Sequence, residues 1–169
     1  MRPPAARARR PAPPLGALLA GAAGIALATA CSHGPTWDEF RRQDAGPRPG
    51  YARIFVYTPP RTEAVAFHPD VTLDGESVGT SSPGTFFYVD RQPGVYELTV
   101  PPRLYPGAFG KQGAAEPAKV SLWLGQVAFV QVDVVELGGA IQARLLTRER
   151  SDGEVSIRAC RYAAGGAGP

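Results

Sequence analysis

Cysteine, histidine and methionine are nearly missing from this chain: two, two and one in 169 residues. No C-x-x-C and no H-x-x-x-H pair occurs, so neither a metal site nor a cofactor is expected. Two cysteines cannot make a disulfide framework. No nucleophile-elbow pattern and no oxyanion-loop pattern occurs, and no glycine-rich phosphate loop follows any strand-like run. Acidic residues are absent before Asp38, whereas Arg2, Arg7, Arg9 and Arg10 all precede it. What the chain does have is 20 glycines and 18 prolines, a composition of strands and turns rather than long helices.

The formal charge of +3 belongs to the N-terminal segment. Without residues 1–30 the chain keeps 14 basic against 15 acidic residues, a net charge of −1. A near-neutral domain has no counterion-release drive towards phosphate backbones, so nucleic acid is not an expected partner.

That N-terminal segment has the layout of an export signal. An arginine-rich start is followed by LGALLAGAAGIALATA over residues 15–30, which is free of charge. The run is shorter than the roughly 20 apolar residues of a membrane-spanning helix, and its glycines and alanines make a weak anchor. Small residues, Ala28, Thr29 and Ala30, then lead into Cys31. This seam resembles the lipobox of bacterial lipoproteins. The resemblance implies a signal peptide over 1–30, cleavage after Ala30, and a mature chain whose first residue, Cys31, carries diacylglycerol on sulfur and an acyl chain (typically palmitate) on its amino group. A thiolate is the nucleophile this chemistry needs. Ala28 departs from the usual Leu, Val or Ile three residues before the cysteine. Ser32, in place of aspartate after the cysteine, implies sorting to the outer membrane, facing the periplasm. Two readings compete: ordinary cleavage at Ala28-Thr29-Ala30 leaving Cys31 free, and a twin-arginine signal at Arg9-Arg10, whose neighbours Ala8 and Pro11 fit poorly.

Residues 31–50 read as the lipidated cysteine and a flexible tether, with three prolines and three glycines. Within them, TWDEFRR has capping-box spacing between Thr36 and Glu39, and Trp37 and Phe40 share one helical face, so a single turn docked on the domain is expected. Residues 163–169, AAGGAGP, have nothing to bury and read as a disordered tail.

Between these flanks, residues 51–162 carry about seven strand-like runs at roughly 8–12-residue spacing. They are ARIFVYT, VTLDG, TFFYVD, GVYELTV, KVSLWL, VAFVQVDVV and AIQARLL. Asp74-Gly75 and Pro93-Gly94 are turn signals. Ala128, Val130, Val132 and Val134 alternate onto one face. The fold class is mainly β, an antiparallel sandwich. SDGEVSIRACRY, residues 151–162, admits both a strand and a short C-terminal helix opened by Ser151 and Glu154; the helix is the reading taken. The series VTLDGESVG, GTFFYVDRQPGVYELTV and GQVAFVQVDV resembles small β-domains of uncharacterised bacterial lipoproteins and the PEGA-type domains of bacterial surface proteins. That resemblance implies an immunoglobulin-like or transthyretin-like sandwich and no catalytic residues.

Three places carry functional expectations. Residues 101–117, PPRLYPGAFGKQGAAEP, are long for a connection between strands, and Arg103, Tyr105, Phe109 and Lys111 make an aromatic-plus-cation set suited to a contact surface for an envelope protein or glycan. Arg91 lies near enough in sequence to the Pro93-Gly94 turn to join it. His68, beside Pro69 and Asp70, reads as a surface turn residue, with an envelope enzyme built around it as the alternative. Cys160 is the only thiol left once Cys31 is acylated, and its expected role is that of a small buried hydrophobe, an intermolecular bridge being the alternative. The expected function is a lipid-anchored, non-catalytic binding or structural domain of the cell envelope. An accessory lipoprotein of a secretion or surface assembly is a further alternative.

Overall fold

The computed structural model describes residues 34–60, 68–102, 115–137 and 140–163. In chain order these form α1 (Trp37–Gln43), β1 (Ala52–Thr58), β2 (Asp70–Leu73), β3 (Glu76–Thr80), β4 (Thr85–Arg91), β5 (Gly94–Thr99), β6 (Ala118–Leu122), β7 (Val127–Leu137), β8 (Ala140–Arg148), α2 (Arg150–Ile157) and β9 (Arg161–Tyr162). One sheet has the order β8-β7-β1-β4-β9 and the other β3-β2-β5-β6.

The mainly β sandwich expected from the strand-like runs is what forms. Strand alternation explains its layers. Ile54 and Val56 of β1, Phe87 and Val89 of β4, and Val130 and Val132 of β7 point between the sheets. There they meet Val71, Val78, Leu98, Val120 and Leu122 of the second sheet. The opposite face of the five-stranded sheet is also covered. Phe55 and Tyr57, Phe86, and Phe129 pack there against Trp37 of α1, Ile157 of α2, and Cys160. β1 is therefore buried along all seven residues. The β2–β3 hairpin turns at Asp74 and Gly75, whose φ values of 50° and 84° are the left-handed pair that an Asp-Gly turn supplies.

Four sequence expectations need correction. The five-stranded sheet is not wholly antiparallel, because β1 runs parallel to β7 and β4 parallel to β9. The second sheet, β2 to β6 apart from β4, intervenes between β1 and β7, and such a crossover is what parallel neighbours require. Side-chain alternation carries no information about a neighbour's direction. Second, β3 and β9 add to the expected strands. ESVGT holds one inward apolar residue, Val78, and RY is two residues long, so neither leaves a periodic signal. Third, α2 begins after Glu149 with no side-chain cap, so the capping box expected at Ser151 and Glu154 does not form. Fourth, the stretch read as flexible tether is, from residue 34, part of the folded domain: Trp37 is 3% exposed and Pro35 bonds to Tyr162. The signal peptide of residues 1–30, Cys31 and the tail beyond residue 163 lie outside the described residues. No helix among the described residues is long and apolar enough to cross a membrane.

Candidate functional site

The approach to α1 is built at the edge of the five-stranded sheet. Tyr162 N–H donates to the Pro35 carbonyl at 2.8 Å, and Thr36 bridges Arg161. Gly34 is pressed so close that a β-carbon there would collide with the Tyr162 carbonyl oxygen. Thr36 then caps α1 as its spacing predicts. The Glu39 N–H donates to Thr36 Oγ1, and the Thr36 N–H donates to Glu39 Oε2 at 2.8 Å. Hydrogen bonds from the Thr36 backbone and hydroxyl hold the Glu39 carboxyl below its ordinary pKa. Trp37 lies edge-on to Phe55 and Phe86, at centroid distances of 5.0 and 5.4 Å, and Phe40 covers Phe86, Tyr88 and Tyr162.

Where α1 ends, a buried ionic cluster begins. Arg53, 3% exposed, grips Asp90 through Nε and Nη2 at 2.6 and 3.0 Å and Asp44 through Nη1 at 2.5 Å. Its guanidinium stacks 3.8 Å from the Tyr88 ring centroid. Burial alone would lower the Arg53 pKa, but the hydrogen bonds and charges of Asp90 and Asp44 outweigh it and raise the value. Arg48 reaches Asp90 from the solvent side at 3.8 Å. Two arginines thus balance two carboxylates, and charge neutrality is what permits burial. Asp44 Oδ2 is the single buried side-chain oxygen or nitrogen among the described residues with no hydrogen-bond partner. Asp44 borders a groove of about 440 Å³ whose other walls include Pro35, Phe40, Tyr88 and Tyr162. Burial, aided by Tyr88 and opposed by Arg53, raises the Tyr162 pKa. Sequence reasoning missed this cluster. An arginine inside ARIFVYT was its only signal, and nothing along the chain ties Arg53 to Asp90, 37 residues away.

Of the residues expected to act, Cys31, Arg103, Tyr105, Phe109 and Lys111 lie outside the described residues. The stems of the 101–117 connection are described, and they meet: Ala115 N–H donates to the Val100 carbonyl at 3.3 Å. Glu116 and Pro117, just past it, border a cleft of about 670 Å³ running along β8 from Gln142 to Leu146. Arg91 is at the far end of β4 and pairs with Glu76 at 3.2 Å. His68 is exposed, and its Nδ1 lies 2.9 Å from Ser82 Oγ, while Asp70 accepts a hydrogen bond from the Thr80 hydroxyl at 2.7 Å. Among the described residues no three of His, Cys, Asp and Glu group as metal ligands.

Cys160 is 1% exposed and donates its thiol proton to the Thr58 carbonyl at 3.4 Å. Burial pushes its pKa up to about 12. It occupies the core position expected of a small hydrophobe. No family model matches the chain, and no curated protein or solved structure is found to be similar to it.

Proposed function

We propose that this chain is a lipid-anchored domain of the cell envelope, held through Cys31 and acting by binding or support rather than catalysis. The supporting observation is the order along the chain of the charge-free run, the cysteine and the described elements. Every described helix and strand lies beyond residue 34, three positions after the cysteine at the end of the apolar run. Cleavage after Ala30 would therefore release a domain with all of those elements in it. Several acyl chains on Cys31 make a lasting anchor, since each buried methylene contributes about 0.8 kcal/mol and a single chain holds only weakly.

The contact surface in this reading is the 101–117 connection with Arg103, Tyr105, Phe109 and Lys111, and its partner is an envelope protein or glycan. The described stems of that connection meet where the Ala115 N–H donates to the Val100 carbonyl.

Mass spectrometry of the mature N-terminus tests the anchor. A diacylglyceryl, N-acylated Cys31 is expected, and an unmodified Cys31 or a chain still starting at Met1 would sink the reading. Crosslinking in cells, with residues 103–114 either present or replaced by a short glycine link, tests the loop. Loss of crosslinked partners on replacement is expected, and an unchanged partner set would remove the loop from the proposal.

A further inference from the structure

The edge of the five-stranded sheet changes character partway along β4. Backbone groups of β1 alternate between its two neighbours. The Arg53 N–H donates to Gln126 on the β7 side, so Ile54 and Val56 present theirs to β4, where their partners are Val89 and Phe87. Phe86, Tyr88 and Asp90 therefore turn their N–H and C=O groups the other way, toward β9. β9 is two residues long and its pairing stops at Phe86, whose carbonyl accepts from the Ala163 N–H at 2.8 Å. Further on, the Asp90 carbonyl accepts from Arg91 Nη1 at 3.2 Å. Between these points, no backbone hydrogen bond among the described residues reaches the Tyr88 N–H or C=O from the β9 side. The open part of the edge thus offers one complete donor–acceptor pair.

Tyr88 is also a wall of the groove of about 440 Å³ beside α1. That size falls within the range of about 300–1,000 Å³ typical of small-molecule sites. Phe40, Tyr88 and Tyr162 are half-buried, and their ring centroids lie 5.3 to 6.0 Å apart. They form one continuous aromatic wall, which Pro35 extends. Asp44 lines the groove too. Its side chain is 9% exposed, and its Oδ2 has no donor. A buried acceptor left without a donor is where a ligand's own donor gains most. The neighbouring charges decide which donor fits. Arg53 and Arg48 already balance Asp44 and Asp90, so an entering cation adds charge without a counterpart. A neutral hydroxyl satisfies Oδ2 and leaves the balance intact.

We infer that this groove binds an N-acetylated hexosamine ring of a glycan. The C–H face of such a ring stacks on the wall of Phe40, Tyr88 and Tyr162, whose π faces are negative. A ring hydroxyl donates to Asp44 Oδ2. The acetamido group carries one C=O and one N–H, and these meet the free N–H and C=O of Tyr88 as one residue of a neighbouring strand would. An extended peptide uses the same kind of pair, but strand addition draws on a row of them, and here one is open. The site needs neither the Cys31 anchor nor the 101–117 connection, since none of its residues belongs to either.

The test is an amide NMR titration of the full-length chain with three trisaccharides, of N-acetylglucosamine, of glucosamine and of glucose. Shifts centred on the amides of Asp44, Tyr88 and Tyr162 are expected with the first. The other two lack the acetamido group and should bind several-fold more weakly. Asp44→Asn keeps an oxygen for Arg53 and turns an N–H toward the sugar, and Tyr162→Ser removes part of the wall while the backbone bonds of that residue stay. Each should weaken the N-acetylglucosamine trisaccharide several-fold with the amide spectrum of the folded sandwich retained. Should Asp44→Asn unfold the domain, Tyr162→Ser carries the test alone. A chain whose residues 103–114 are replaced by a short glycine link should bind as the parent does, so the groove stands even if the loop has no partner. Loss of binding in that chain would place the sugar on the loop and overturn the groove. Absence of shifts there, equal affinity for the glucose trisaccharide, or unchanged affinity in Tyr162→Ser overturns it as well. So does a response along β4 to an extended threonine–valine peptide and to no sugar, which would make the groove a strand-addition site.

Discussion

Arg53 and Asp90 face each other across the β1–β4 pair and are joined by two hydrogen bonds, 2.6 and 3.0 Å long, in the covered layer beneath α1. The fork of the guanidinium matches the carboxylate, and Tyr88 closes the free face of the guanidinium. Removing one partner leaves charge buried without compensation. Arg53→Met is expected to cost about 3–5 kcal/mol in urea unfolding. Asp90→Leu added to it should recover part of that loss, because the two residues act as a unit. Strictly additive losses in the double-mutant cycle would show that the pair is not coupled.

Gly153 lies within α2, where glycine is about 1 kcal/mol worse than alanine on propensity alone. Its position over Phe129 decides the sign. A β-carbon at 153 would run into the Phe129 ring. Overpacking of this kind costs about 1–3 kcal/mol. Gly153→Ala should therefore lower the midpoint of thermal unfolding, and a raised midpoint would mean that the ring moves aside freely.

Trp37 anchors the segment that precedes the sandwich. Truncating a buried tryptophan costs about 3–5 kcal/mol, so Trp37→Ala should destabilise the whole domain, as read by denaturant midpoint. Thr36→Ala, which removes the cap, should cost about 1 kcal/mol. A free tether at these positions would leave both variants at the stability of the parent chain.

The Cys160 thiol is kept neutral by burial, with its pKa raised from 9.0 to about 12. A neutral form favoured by folding contributes stability below the unfolded value. That contribution is lost as the pH rises from 9.0 towards about 12, because the unfolded thiol ionises first. In a Cys31→Ser chain, a thiol reagent at neutral pH should react slowly with the native protein and at once after denaturation. Cys160→Ser should flatten the alkaline part of the stability curve. Fast reaction of the native protein would place the thiol at the surface.

The amino-acid order by itself determined the run of strands from β1 to β8, apart from β3, because their apolar alternation and the turns between them are local properties. It determined the Thr36–Glu39 cap and the Asp74-Gly75 turn for the same reason, and it marked Cys31 and the 101–117 connection as the places to look for function. The tertiary structure alone decided the direction of β7 beside β1, the docking of α1 onto Phe55 and Phe86, and the meeting of Arg53 with Asp44 and Asp90. Those depend on which distant segments share a surface, and a hydrophobic period records only that a face is covered, not what covers it. Gly153 illustrates the difference: along the chain it is a flaw in a helix, and in the fold it is the space that Phe129 fills.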